Sequence, residues 1–428
     1  MAELGYAVTR RPDEDNWDLM FPNSVRVYGK MLREDAQVAS IIKGMTLPIE
    51  RSTWRIDPNG APDEIVALVA GDLRLPILGD SGSKPVAPRQ GRVSWAEHLH
   101  QALLSLPFGV MFFEQIYEPG PDGRDHLRKL APRFPTSLRK IRVARDGGLE
   151  GIVQAPAPGS TGKPPVIPVD RLVAYAHDPG DASWQGRSVL RPAYKHWILR
   201  DELLRLEVAA LDRNSMGVPV YYSSPLAPDA QKEIRSGLEL ASSLRNGAEA
   251  AASLPEGAKL EIQGISGQLA SPREAIAYHD SMISRSVLAH FLNLEGKGGS
   301  YALAETQSDL FVQSLQTIGE WIASTATQHI VEDLVRVAFP EHEGMCPRVT
   351  FDPIASKKEY TSADIAALIN AGAIMPDRDL EAELRRRGGL PEKRPFEDAM
   401  AEKAENDAVR EKYGVSPPDD SDQGVNDQ

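Results

Sequence analysis

The chain holds one cysteine, Cys346, in 428 residues. An intrachain disulfide framework and a cysteine-based zinc cluster within one chain are both excluded. Long apolar runs are missing too. None reaches the roughly 18 to 20 residues that a membrane helix requires, and the opening MAELGYAVTRRPDEDNWDLM lacks the apolar core of a secretion signal. These absences predict a chain of cytosolic origin with no membrane partner. Positive charge is in deficit, with 48 Lys and Arg against 61 Asp and Glu and a net charge of −13. Because phosphate backbones are gripped by concentrated cations, this balance excludes bulk wrapping of nucleic acid and leaves local or transient contact.

Catalytic signatures are also scarce. The stretch NLEGKGGSYALAE, Asn293 to Glu305, has the glycines, lysine and serine of a phosphate cradle. A Walker loop, however, needs its lysine directly before Ser or Thr and leads from a strand into a helix. Here the order is GKGGS and a helical pattern comes before it, which leaves a glycine linker or a mobile loop. GRSVL at Gly186 to Leu190 has leucine where a nucleophile elbow wants a small residue, so it reads as the start of a helix. No H-E-x-x-H is present, and His98 and His100 point in different directions on one helix. Carboxylate pairs such as Asp201/Glu202 and Asp419/Asp420 read as solvated charge. No metal site, cofactor site or catalytic residue is expected.

What is present is an ordinary globular composition, 41% hydrophobic and 25% charged, at a length that suits two to four domains. The segment SVRVYGKMLREDAQVASIIKGMTLPIERSTWRI predicts a helix stopped by Pro48 and followed by a strand. GDSGSKPVAPRQG reads as an exposed loop, and SWAEHLHQALLSLPFGVMFFEQIYEP as a Ser94-capped helix, a break at Pro107 to Gly109 and an apolar strand. Short strands follow to about residue 177, with Asp146-Gly147 as a hairpin turn. A long helical pattern covers 186 to 214, on which Trp197, Leu204, Val208 and Leu211 share a face.

GVPVYYSSP, PDAQKEIRSGLELASSLRNG and EGAKLEIQG then predict a β-α-β insert, with Gly247 ending its helix. Ser271, Pro272 and Glu274 form an N-cap, a first-turn proline and the return arm of a capping box. Ile276, Ile283, Val287, Phe291 and Leu294 form the stripe of that helix. A second pattern from about Ala302 to Ala338 would reach roughly 50 Å unbroken. RVTFDPI is a strand, and Thr361 and Pro376 start two short helices. The charged end, VSPPDDSDQGVNDQ included, cannot bury a core. The fold class is α+β.

The order of these parts resembles the portal proteins of tailed bacteriophages, in particular the Mu-like branch. The matching pieces are MLREDAQVASIIKGMTLPIERSTWRI, LAPRFP at Leu130 to Pro135, IPVDRLVAYAH at Ile167 to His177, GRSVLRPAYKHW, SLPEGAKLEI and GGSYALAETQSDLF. The resemblance covers roughly residues 24 to 340 and implies a portal fold of wing, stem, clip and crown, with long helices lining a central channel in a ring, usually a 12-mer.

It divides the chain into an N-terminal arm (1–23), wing (24–187), stem helix (188–215), clip (216–270), second stem helix (271–294), tunnel loop (295–302), wing spine helix (303–345), crown-like segment (346–391) and tail (392–428). The tunnel loop would offer Gly296, Lys297, Gly298, Gly299, Ser300 and Tyr301 to DNA, and Lys232, Arg235, Arg245 and Lys259 would be clip residues for docking partners. The implied partners are further copies of the chain, double-stranded DNA in transit, the large terminase, the head-tail adaptor, and the major capsid protein and scaffold. The implied place is the virion's portal vertex, with the host cytoplasm during assembly. A minor head-assembly protein and an unrecognised hydrolase are the alternatives.

Overall fold

The computed structural model describes residues 14–80, 91–156, 163–180, 183–215, 218–226, 228–245, 253–263, 272–287 and 301–354, with isolated positions outside these ranges. The chain divides into two units, residues 1–355 and 356–428. In the second unit only isolated helical positions, such as Ile365, Leu368, Leu380 and Leu384, are described, and the expected starts at Thr361 and Pro376 lie outside the described residues.

The first helical run is two helices, α1 (Asn23–Glu34) and α2 (Ala36–Arg51). Asp35 breaks it with an extended backbone, and its carboxylate accepts the Val38 amide at 3.0 Å, capping α2. Pro48 does not stop α2, contrary to the expectation from sequence. It sits in the last turn, where losing one backbone bond is offset by the burial of Met45 and Ile49 on the same helix. The strand β1 therefore begins late, at Trp54–Asp57. Sequence reading also passed over α3 (Asp63–Leu73), although Pro62 and the acidic Asp63 and Glu64 mark its start and Ile65, Val66, Val69 and Leu73 are buried.

Helix α4 (Trp95–Ala102) is capped by Ser94 as expected, and the short α5 (Ser105–Phe108) carries Pro107. The chain then turns at Gly109, φ +85°, into β2 (Val110–Pro119). Gly109 lies back to back with Gly186, where an added Cβ would come 2.0 Å from the Gly109 carbonyl oxygen. GRSVL is thus a tightly packed loop and not a helix start. Its Ser188 is buried, donating to the Pro107 carbonyl at 2.6 Å and accepting the Leu190 amide at 3.0 Å.

Strands β3 (Asp125–Arg133), β4 (Leu138–Val143), β5 (Leu149–Gln154), β6 (Val166–Pro168) and β7 (Leu172–Ala176) complete two antiparallel sheets, ordered β3-β2-β7 and β4-β5-β6. The Asp146-Gly147 turn joins β4 and β5 as predicted, with Gly147 at φ +89°. Strand β2 is apolar on both faces because both are covered. Met111 and Phe113 join the large core with Val173 and Tyr175, while Val110 and Phe112 join a second core with Leu172, Ala174, Ile141 and Ile152.

Next come α6 (Tyr194–Ser215), β8 (Val218–Tyr222), α7 (Ala230–Arg245), β9 (Lys259–Gln263) and α8 (Arg273–Arg285). β8 and β9 form a separate antiparallel pair. Helix α6 starts at Tyr194, later than the predicted 186 to 188, because the Gly186 loop precedes it. The cap position of α8 is Pro272, with no side-chain cap bond, and Ser271 lies outside the described residues, as do Gly247, Phe291 and Leu294.

The long helix is α9 (Tyr301–Ala326), continued by a π turn at Thr327–Val331 and by α10 (Glu332–Ala338). The π turn leaves the His329 carbonyl to accept from the Gln115 amide group at 2.9 Å, and the same group donates to Asp333 at 2.8 Å. The last strand, β10 (Arg348–Phe351), returns to pair antiparallel with β1, stacking Phe351 on Trp54 at 4.8 Å.

Candidate functional site

Helices α6 and α8 pack along each other and hold the β8-α7-β9 module between them in sequence. Three polar rungs cross the pair: Glu207 with Arg273, Arg200 with Asp280, and His196 with His279. From Arg200 to Glu207 the partners run back from Asp280 to Arg273, so the helices are antiparallel. At the middle rung Arg200 also pairs with Asp35, the residue that caps α2, and this joins the helix pair to the sheet-bearing body. The Arg200 and Asp35 side chains are only 10% and 6% exposed. Two carboxylates around one buried guanidinium form a strong local constraint, since removing one partner would strand a buried charge. A further link runs from Gln37 on α2, whose amide donates to the Ser284 hydroxyl on α8 at 2.7 Å.

A charged cavity of about 490 Å³ opens at this junction, lined by Lys30, Glu34, Trp197, Asp201, Arg205 and Ile276 among others. Lys30 lies 5.7 Å from the centre of the Trp197 ring. Farther along α6 the predicted apolar face is not covered: Leu204 is 41% exposed, Val208 67% and Leu211 58%, and Leu206 on another side is 61% exposed. On α7, Ile234 and Leu238 stand one turn apart at 54% and 67% exposed. Such a series of large apolar residues on adjoining helices is more than scattered surface hydrophobicity.

Of the predicted site residues, Gly296, Lys297, Gly298, Gly299 and Ser300 lie outside the described residues, and Tyr301 is the first residue of α9. Lys232 and Arg235 are exposed on the first turns of α7. Arg245 ends that helix, about 20 Å from Lys232 along its axis. Lys259 is exposed on β9 and pairs with Glu261. Lys232 and Arg245 are therefore set apart along the helix, and residues 216 to 270 carry six acids against the four cations.

Chemistry elsewhere has structural explanations. His98 is buried, its Nε2 at 2.9 Å from the Tyr175 hydroxyl, and burial lowers its pKa to about 3. Burial also pushes the Tyr175 and Tyr117 hydroxyls well above the usual tyrosine range. His100 faces outward and pairs with Glu50. The Cys346 thiol is half-buried and pushed up, first by that burial and then by Glu332. Among the described residues no group of three or more His, Cys, Asp and Glu is arranged to hold a metal ion, and no helix is long and apolar enough to cross a membrane. The Arg200 and His196 rungs were missed from sequence. Asp280 was visible only as an interruption in the apolar stripe of α8.

Comparison with known proteins places this arrangement. The chain resembles a protein in the neck of the native GTA particle, computed with C12 symmetry, at 15% identity and a TM-score of 0.55 over 90% of this chain and 97% of that one. A protein in the virion of the native gene transfer agent particle matches at 14% identity and a TM-score of 0.53, again over 90% and 97%. At these identities the likeness establishes the fold. The family model for the portal protein of Mu bacteriophage matches residues 25–388, a span that takes in both antiparallel sheets, the α6 and α8 pair, the module between them and the long helix. With that much of its length matched, the chain belongs to the family of Mu bacteriophage portal proteins.

Proposed function

We propose that this portal protein acts as a closed ring of identical subunits, twelve in the virion, whose channel passes double-stranded DNA during packaging and ejection. The observation that carries the ring is the row of uncovered apolar side chains Leu204, Leu206, Val208 and Leu211 on α6, with Ile234 and Leu238 on α7. A helix with apolar residues on more than one side has only one side covered by α8. A rotary ring buries the other sides against copies of the same chain and leaves no open edge. In this reading the sheets are the wing, α6 and α8 the stem, β8-α7-β9 the clip, α9 to α10 the spine, and the part after 346 a crown and tail.

The net charge of −13 suits a channel wall that must let DNA slide, because a dense basic lining would hold the phosphates. Residues 295 to 302 are the tunnel loop. There Lys297 touches passing phosphates and Gly296, Gly298 and Gly299 give the backbone its freedom. The clip, with Lys232, Arg235, Arg245 and Lys259, docks the large terminase and later the head-tail adaptor, while the body meets the major capsid protein and scaffold at the portal vertex. The role is structural, and nucleotide hydrolysis belongs to the packaging motor.

Negative-stain images of the purified full chain test the ring, a central hole being expected and a stable compact monomer overturning it. Lys297→Ala is expected to leave rings intact while altering packaging or DNA retention. Loss of the ring in that variant would make the loop an assembly element instead.

A further inference from the structure

The rung nearest the start of α6 differs in kind from the other two. His196 Nδ1 lies 2.9 Å from His279 Nδ1, with ring centroids 5.2 Å apart and planes at 45°. At that separation the contact is a hydrogen bond, and a hydrogen bond between two imidazole nitrogens has one proton and one lone pair. One ring donates through Nδ1 and the other accepts at Nδ1, so at least the accepting ring is neutral. A proton added to the accepting nitrogen leaves two N–H groups aimed at each other and no acceptor between them.

We propose that His196 and His279 form an acid-sensitive latch between α6 and α8, closed while one Nδ1–H bridges the two rings and opened when both rings are charged. The step is a simple protonation: a first solvent proton can settle on Nε2 of the donating ring and leaves the N–H···N bond in place, a second takes the accepting Nδ1 lone pair, and the bond is lost when both rings are charged. The inference rests on the contact between the two helices and does not depend on the channel reading.

The surroundings set the sign. On α6 the neighbouring charges are Lys195, one residue away, and Arg200, one turn on. On α8 the neighbours are Tyr278, whose ring stands edge-on to both imidazoles at 6.2 and 5.3 Å, and Asp280. From α1 comes Lys30, over the Trp197 ring, and from the break between α1 and α2 comes Asp35. Asp35 and Asp280 both pair with Arg200, so their charge is largely spent there. Burial, then His279, then Lys195 hold His196 below the ordinary histidine range. A depressed value means that the closed latch contributes fully above the ordinary pKa of about 6.5 and is lost as pH falls below it.

Opening the latch does not free the helices, because Arg200 still grips Asp280 and Asp35. On α8 His279 lies on the Arg273 side of Asp280, so the play gained is at the start of α6 and in the stretch of α8 between Arg273 and Asp280. Protonation at one pair therefore changes how firmly α6 and α8 are held beside the Arg200 junction.

Spin labels measure this directly. In the full chain carrying Cys346→Ser, labels at Leu199→Cys and Ala277→Cys report the spacing of α6 and α8, with labelled subunits diluted into unlabelled ones and a chelator present. The expected result is a longer, broader distance distribution at about pH 5 than at about pH 8, with its midpoint below 6.5, and a pH-independent distribution in His196→Gln and in His279→Gln. Equal distributions at both pH values, or a shift that survives in both glutamine variants, would overturn the latch. Nitrogen NMR of the histidines in the unsubstituted protein is an independent readout. It should show one Nδ1–H and one bare Nδ1 at about pH 8, and two singly charged rings there would also overturn it.

Discussion

The sheet-bearing body and the α6-α7-α8 region use apolar side chains in opposite ways. In the body, Phe112, Phe113 and Tyr175 are fully buried, and β2 is covered on both faces by two cores. In the other region, Leu206, Val208, Leu211 and Leu238 are each more than half exposed. Both regions are regular secondary structure, so the difference is not one of order. The body buries its largest apolar side chains within one chain, while α6 and α7 leave several of theirs uncovered. On the proposed reading, the uncovered region is where other copies would pack.

Substitutions can break this contrast. The largest effect is expected in the body: Phe113→Ala opens a cavity beside His98 and Tyr175 and should cost about 4 kcal/mol in denaturant unfolding. A cost under about 1 kcal/mol would mean that this core is looser than its burial implies. Arg200→Ala comes next. It leaves Asp35 and Asp280 without their shared cation and should cost about 3 kcal/mol, loosening the helix pair from the body. Proteolysis that still begins elsewhere in the chain would show that the rung does not join the two regions.

The third effect is that of pH on the body. His98 takes up a proton near pH 6.5 when unfolded but only near 3 when buried in the fold, so the unfolded state binds more protons between those values. Stability from this group is full above about 6.5 and falls by about 2 kcal/mol between pH 7 and pH 5. His98→Gln should flatten that slope in urea titrations, and an unchanged slope would assign the acid response to other groups. The smallest effect on monomer stability is expected from Val208→Asp, within about 0.5 kcal/mol because the side chain is already exposed. The same variant should abolish ring assembly in sedimentation. Rings that persist would place the subunit interface on another face.

Local signals proved legible wherever they act over a few residues. The cap at Ser94 and the turn at Asp146-Gly147 stand where the sequence places them, as do the strands on either side of α7. The long helix is also there, although the π turn within it was not anticipated, because its cause is a partner, Gln115, more than 200 residues away. Pro48 misled in the same way. Its local penalty is real, but the packing of α2 around it decides the outcome. The helix start predicted at GRSVL fails because of Gly109, which meets Gly186 only once the chain has folded.

What the sequence determined by itself is the kind of protein: one cysteine, an acidic balance, a failed Walker motif, and an order of helices and strands that already resembled a portal. These follow from composition and from short-range stereochemistry, which need no tertiary contact to act. Only the tertiary structure decided which apolar faces are covered within the chain and which stay exposed. It also decided that Arg200 meets Asp35 across 165 residues and that His196 meets His279. Charge pairing and burial depend on distance in space, and no spacing along the chain encodes that distance.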